Sequence, residues 1–518
     1  MQLQRIATGL LLTTMLAGVP AHAASSARAD ADLRAVIAAQ QKQIDALAAQ
    51  VEALRAQQAT VPAAVAAIAD DEDSKSEFMT AQIEAQQAQI DSVKAKTDAN
   101  APTWRGGPEF KGSGFTFRPG GELQYDFGYV SNPNNALNTP NLGYNSLARR
   151  LVLSAQGEVP GGFKYNINVN FAGGVVGYED MVFAYEPAGS KWSGQIGFMF
   201  PFNSLENMTS NKFTSFVERS QFQDAWSNGR RIGVAVGYTA DVFRFNAGLF
   251  NSTINTLSTN TDWQASVRGV YYPKALGGQL HAGASYQYRK APVSAQGNLY
   301  QARPFTQTTN VRFVGTGPAN STGTIASGIA VSGDQIFGAE LAGIWGPLHF
   351  VSEAQYLKIN AIQPGQILSP GQASTGQRLL NDPSFFSVYG EAGYWLTGET
   401  RGYNKGGFAR TKIKSPFDKG GWGGVQLVGR IDYLNLTKWV GGTGNGIVAG
   451  VLNGGQQTGY QLALNWWPTD YVRFTTQYDR AQIVGGPNAG AVDPTSTSLL
   501  TDRSYGVNVV TVRAQLDF

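Results

Sequence analysis

Seven arginines, Arg150, Arg231, Arg244, Arg268, Arg430, Arg473 and Arg513, stand within stretches whose alternate residues are apolar. A guanidinium is permanently charged, and its planar fork of donors fits two carboxylate or phosphate oxygens at once, which a lysine cannot reproduce. A set of them is suited to guiding oxyanions. Residues suited to bond-making chemistry are scarce. The 518 residues include no cysteine and three histidines, His22, His281 and His349, so thiolate metal sites and cysteine nucleophiles are excluded. His281 and His349 have no serine partner in a Gly-x-Ser-x-Gly elbow, and the 62 glycines form no phosphate-binding loop before a helix. We therefore expect a non-enzyme with no cofactor, no metal and no nucleic-acid partner.

Such arginines need a wall that fixes the side each one faces. Beyond Trp104, segments of about ten residues alternate apolar and polar side chains between clusters of Gly, Pro, Asn, Asp and Ser, the pattern of a transmembrane β-barrel. Glu122-Leu123-Gln124-Tyr125-Asp126-Phe127 puts every apolar residue on one face, and Phe163 through Phe171 does so without exception. The apolar faces are rich in Tyr, Phe and Trp, and no helix in this region is available to cover a second sheet. The apolar side is thus read as facing lipid and the polar side as facing a lumen. Only 15% of residues are charged, which suits such an all-β, antiparallel chain.

The segments number sixteen, from 114–130 to 503–518. Short joins at 160–162, 187–189, 239–240, 346–347 and 468–470 alternate with long ones such as 200–229, 291–334, 360–384 and 484–502, as periplasmic turns alternate with outer loops. The connection 399–420 is long where a turn is expected, which leaves the count open by two strands. Sixteen to eighteen strands enclose an aqueous channel.

The first hundred residues read differently. Arg5, an apolar stretch from Ile6 to Val19 and Ala21-His22-Ala23 have the layout of a signal peptide over 1–23. Residues 24–102 form a helical arm rich in Ala, Gln, Asp, Glu and Lys. Leu33, Ile37, Gln40, Ile44, Leu47, Val51 and Leu54 follow the heptad seam of a coiled coil, as do Met79, Ile83, Gln86, Ile90 and Val93. The two stretches are out of register, with Pro62 between them. The expected domains are a signal peptide (1–23), a coiled-coil periplasmic arm (24–102) and a barrel (103–518).

Ala148-Arg149-Arg150-Leu151, Gly197-Phe198-Met199-Phe200-Pro201-Phe202 followed by Phe216-Val217-Glu218-Arg219-Ser220, Trp395-Leu396-Thr397-Gly398-Glu399, Leu464-Asn465-Trp466-Trp467-Pro468 with Val472-Arg473-Phe474, and the terminal Arg513-Ala514-Gln515-Leu516-Asp517-Phe518 together resemble the phosphate-selective porin O and P family. The resemblance covers 103–518. It implies a trimeric sixteen-stranded barrel in the outer membrane of a Gram-negative bacterium, with the third outer loop folded inward and basic residues lining an anion path. The heptads lean toward two strands, and the barrel's trimer is preferred over them.

Alternation assigns the charges independently of that resemblance. A basic residue facing lipid at the midplane costs about 2–4 kcal/mol, so Arg150, Arg231, Arg244, Arg268, Arg289, Arg430, Arg473 and Arg513, with Lys164 and Lys191, are read as facing the lumen. Arg149 and Arg230 are read as pointing the other way. Glu122, Asp126, Asp180, Glu340, Glu353, Glu391, Asp432, Asp479 and Asp517 also face inward, which weakens the case for strict phosphate selectivity. The connection 200–229, with Lys212, Phe216, Glu218 and Arg219, is the expected constriction, its Glu206 and Glu218 pairing wall arginines. Residues 103–518 hold 32 basic and 25 acidic residues, a net +7 against +3 for the whole chain, and a low-dielectric wall focuses that field on anions. The function read from this is passive diffusion of small anions, phosphate or polyphosphate, through the outer-membrane bilayer. The alternative is a general porin that doubles as an envelope tether through cell-wall contact of its arm.

Overall fold

The computed structural model describes residues 72–100, 102–104, 107–112, 114–251, 253–254, 263–290, 297–319, 327–366, 376–444 and 446–518, without the side chains of 72–75 and 95–100. The signal-peptide stretch and the first heptad stretch lie outside them. The chain divides into two units, Met1–Ala99 and Asn100–Phe518.

Helix α1, Glu72–Asn100, makes up the described part of the first unit. Its sequence is free of Pro and Gly and rich in Ala, Gln, Lys and Glu, which favours helix from end to end. Met79, Ile83 and Ile90 lie more than half exposed along it. Spaced by four and seven, they form a row on one helix face.

In the second unit, sixteen antiparallel strands form a closed wall: β1 Phe115–Val130, β2 Gly143–Val159, β3 Phe163–Asn170, β4 Gly177–Tyr185, β5 Trp192–Met199, β6 Arg231–Thr239, β7 Phe243–Phe250, β8 Trp263–Tyr271, β9 Gly278–Lys290, β10 Val331–Trp345, β11 Leu348–Ala361, β12 Ser384–Trp395, β13 Gly424–Trp439, β14 Val451–Trp467, β15 Val472–Val484 and β16 Ser504–Asp517. Each strand pairs with the next, and β16 closes on β1 from Val509 opposite Val130 to Asp517 opposite Glu122. Closure leaves no edge strand, as a bilayer requires of any β-structure that crosses it. The alternation is plain in β1, where Leu123, Tyr125, Phe127 and Tyr129 are exposed on the outer wall while Glu122, Gln124 and Asp126 are buried inside.

β10 begins at Val331, within the connection read as 291–334. The long connection after β12 adds no wall strand. It turns into the lumen as a small hairpin, Tyr403–Asn404 against Gly407–Phe408, so the count stays at sixteen. The hairpin is pinned from inside: Arg244 and Arg268 donate to the carbonyls of Lys405 and Gly406, and Arg401 pairs with Glu391 at 2.9 Å.

Contrary to the polar interior read from alternation, part of the lumen holds an apolar core. Phe222, Trp226, Tyr300, Phe305 and Phe313, from the connections after β5 and β9, pack on wall residues Ile336, Leu357, Phe385, Leu434, Ile483 and Val507. Gly459 of β14 faces Phe305, whose ring occupies the space a side chain there would need. Absence of a Cβ lets the ring lie directly on the strand.

Candidate functional site

The connection from β5 to β6 crosses the lumen, and side chains of the far wall grip its backbone. Short helix α2, Leu205–Met208, starts at Ser204, whose Oγ accepts from the Asn207 N–H. The Glu353 carboxylate of β11 accepts from the N–H groups of Leu205 at 2.7 Å and Glu206 at 3.0 Å, and from the Tyr389 hydroxyl at 2.6 Å. These N–H groups have no partner within the helix, so an anion is favoured there. Farther along, Arg473 donates to the Thr214 carbonyl, Ser215 donates to Glu391, Arg513 donates to the Val217 carbonyl and Gln477 accepts from the Val217 N–H. At the last turn, α3 (Gln221–Ala225) is held by Asp432, which accepts from the Gln221 N–H at 2.9 Å. Phe222 stacks on Tyr389 and Trp226 on Phe385. Glu206 pairs with Arg430 at 2.8 Å, and Glu218 with Arg149 and Arg513.

This strap and the inward hairpin fill the side of the lumen beneath β9–β16. Among the described residues, two cavities lie between it and the wall of β1–β7. The larger, about 940 Å³, reaches the short-turn end, where Glu158, Lys164 and Glu186 line it, and also meets Lys212, Arg244 and Arg410. The smaller, about 180 Å³, lies toward the long connections, with Arg149, Glu218 and Arg303 in its wall. Phe200, Asn207 and Arg219 line both, and so mark the narrowing between them. The path is eccentric, set against the wall of β1–β7.

Around the narrowing most guanidiniums are compensated. Arg150 pairs with Glu179 at 2.6 Å, Arg149 with Glu218 at 2.7 Å, and Arg230 with Asp180 at 2.8 Å and Glu179 at 3.2 Å. Arg219 differs. Its Nε and Nη2 donate to the carbonyls of Glu206 and Thr209, at 3.0 and 2.9 Å, and among the described residues no carboxylate is within ion-pair distance. Arg244, bonded to Asn246 and the Lys405 carbonyl, and Lys212, 3.5 Å from the Gly121 carbonyl, are likewise without a carboxylate partner among the described residues. A row of uncompensated cations thus runs from the larger cavity to the narrowing, while the paired ones contribute field with little net charge.

The arginines picked out by alternation separate into two groups. Arg150 and Arg244 lie on the open side; Arg150 is buried with Glu179, and Arg244 lines the larger cavity. Arg231 opens β6 opposite Met199 and is not among the lining residues of either cavity. Arg268, Arg430 and Arg513 are buried in ion pairs with Glu340, Glu391 and Asp126, and Arg473 donates a hydrogen bond to Gln515; none of the four lines either cavity. Of the residues singled out in the connection 200–229, Lys212 and Arg219 line the larger cavity, Glu218 the smaller, and Phe216 is buried beneath Arg430, 4.6 Å from its guanidinium.

Arg149 and Arg230 require a correction, because both turn inward. β2 carries a bulge: Gln124 faces Arg150 but Tyr125 faces Ala148, so Arg149 is the extra residue and leaves the period of two. Arg230 lies one residue before β6, where the strand rule no longer fixes its side, and its guanidinium sits 4.1 Å over the Phe200 ring. Arg118, Arg303 and Arg410 were missed as lining residues. Arg118 lies on β1 and pairs with Glu109, and Arg303 with Asp224. Arg410 belongs to the connection that sequence length marks as anomalous, and pairs with Asp517.

A sequence model of the phosphate-selective porin O and P family matches residues 117–518. A protein of Caulobacter vibrioides described as uncharacterized is 32% identical over 435 residues, 81% of this chain and 78% of that one. Among solved structures, OmpT of Vibrio cholerae is similar with a TM-score of 0.44 and 10% identity, over 79% of this chain and 99% of that one. An anion-selective porin from Comamonas acidovorans is similar with a TM-score of 0.44 and 11% identity, over 78% and 100%.

Proposed function

The chain belongs to the phosphate-selective porin O and P family and is an outer-membrane channel, and we propose that the solutes diffusing through it are small anions, phosphate among them. The observation that carries this reading is Arg219: it lines both cavities, and its guanidinium is bonded to backbone carbonyls with no carboxylate among the described residues within ion-pair distance. Lys212 and Arg244 extend that positive path toward the short-turn end. Conduction needs several weak contacts rather than one tight one, and backbone-bonded cations spaced along a water-filled path meet that need. In this reading Arg430, Arg473 and Arg513 hold the strap, with Arg268 braced against the hairpin, and they act on anions only through the shape they impose.

The exposed row on α1 supports a second assignment, a periplasmic arm whose copies associate beside a trimeric barrel. Planar-bilayer recording of the purified protein under a salt gradient, with phosphate competing against chloride, tests the anion reading. A reversal potential on the anion side, with phosphate reducing the chloride current, is expected; a cation-side potential would refute it.

A further inference from the structure

The smaller cavity has a lining that a bare inorganic anion does not use. Besides Arg219 it presents the amides of Gln221, Gln223, Asn228 and Gln307, the Thr306 hydroxyl, and the carboxylates of Glu218 and Asp224 already engaged with Arg149 and Arg303. Three amide atoms in this wall, Gln221 Oε1, Gln223 Oε1 and Asn228 Nδ2, are buried without a hydrogen-bond partner among the described residues. Gln221 Nε2 is meanwhile fully used by Asp432 and the Gln457 carbonyl, which fixes the orientation of its amide. A buried polar atom left unbonded costs about 1–3 kcal/mol, and these three, covered by neighbouring protein atoms, would gain a partner when a solute entering the cavity displaces that cover.

One uncompensated cation beside both acceptors and donors is complementary to an oxyanion that also carries hydroxyl groups. Its charge would meet Arg219, and its hydroxyls would donate to amide or carboxylate oxygens and accept from amide N–H groups. Phe305 gives one apolar wall, enough for a short carbon chain. At about 180 Å³ the cavity holds roughly six water volumes, the scale of a three-carbon solute and well below that of drug-sized ligands.

We infer that the smaller cavity is a subsite for small hydroxylated organic anions, phosphate esters or carboxylates, which the channel admits in preference to unhydroxylated anions of the same size. This inference rests on the anion reading and names its substrate class. The test is block of chloride current by matched pairs: glycerol 3-phosphate against propyl phosphate, and glycerate against propionate. Members of each pair share charge and chain length and differ in hydroxyls alone, and the two pairs separate phosphate from carboxylate as the source of charge. The hydroxylated member is expected to block about tenfold more tightly, as two additional hydrogen bonds allow. The double variant Gln223→Met/Gln307→Met should lose that ratio while still being blocked by propyl phosphate, and that retained block shows it has folded. Equal block within both pairs, with chloride current anion-selective, would overturn the subsite and leave the anion channel standing. A cation-selective current would overturn both.

Discussion

At the residue scale, compensation decides which cation matters. Arg149 and Arg230 face carboxylates on the path, so neutralising Arg149 leaves Glu218 with Arg513 alone, and neutralising Arg230 leaves Glu179 with Arg150 alone and Asp180 without an ion-pair partner among the described residues. Arg149→Gln and Arg230→Gln are therefore expected to shift the reversal potential toward cations. Reversal potentials equal to wild type in both variants would show that these side chains do not face the path. Alternation, legible in Leu123 to Tyr129, assigns most wall residues from sequence, yet it misplaces these two. A bulge costs one residue of register at Arg149 and leaves no mark in residue type, and Arg230 lies beyond the strand where the rule operates. Nor does alternation separate a lumen arginine paired with a carboxylate from one that is not. Arg244 and Arg268 are both inward on neighbouring strands, but a carboxylate, Glu340, faces only the second.

At the element scale, the strap from β5 to β6 is positioned by wall carboxylates rather than by its own short helices. Glu353 accepts three hydrogen bonds, and bonds to charged groups contribute about 1.5–3 kcal/mol each. Glu353→Ala should release α2 and give a larger, noisier unit conductance with weaker selectivity, measured in single-channel records. A unit conductance and noise level matching wild type would mean that the strap is held elsewhere. The aromatics of 200–229 announce from sequence that this connection packs against something. The inward hairpin at 403–408 shows in the sequence only as an unexplained length, because two of its bonds to the wall run through backbone carbonyls that any residue supplies and the others, Tyr403 with His281 and Arg401 with Glu391, join residues far apart in the chain or on a connection with no strand pattern. In the arm, Ile83→Asp together with Ile90→Asp places charge on the exposed row of α1. Loss of cross-linking between arms is expected, with heat resistance of the barrel unchanged; undiminished cross-linking would rule out association through this face.

At the scale of the whole molecule, strand number and closure follow from repeated alternation, whereas the division of the lumen into a filled and an open side depends on contacts between residues far apart in the chain, such as Glu353 with Leu205 or Arg473 with Thr214. The native chain has no cysteine, so single cysteines report on that division cleanly. Asn168→Cys and Gln195→Cys, both lining the larger cavity, should react with an anionic methanethiosulfonate and lose current, while Ser387→Cys and Gln461→Cys, buried on the filled side, should not. The reverse pattern would place the path on the wrong wall.

All of these expectations depend on an anion path whose narrowing is governed by one uncompensated guanidinium. The most direct test is the reversal potential under a potassium chloride gradient for wild type, Arg219→Gln and Arg513→Gln. Arg513 lies on the filled side, paired with Asp126 and Glu218, and serves as the comparison. Wild type should be anion-selective, Arg219→Gln should lose most of that preference at similar conductance, and Arg513→Gln should retain more of it. Unchanged anion preference in Arg219→Gln, or a larger loss in Arg513→Gln, would contradict the account.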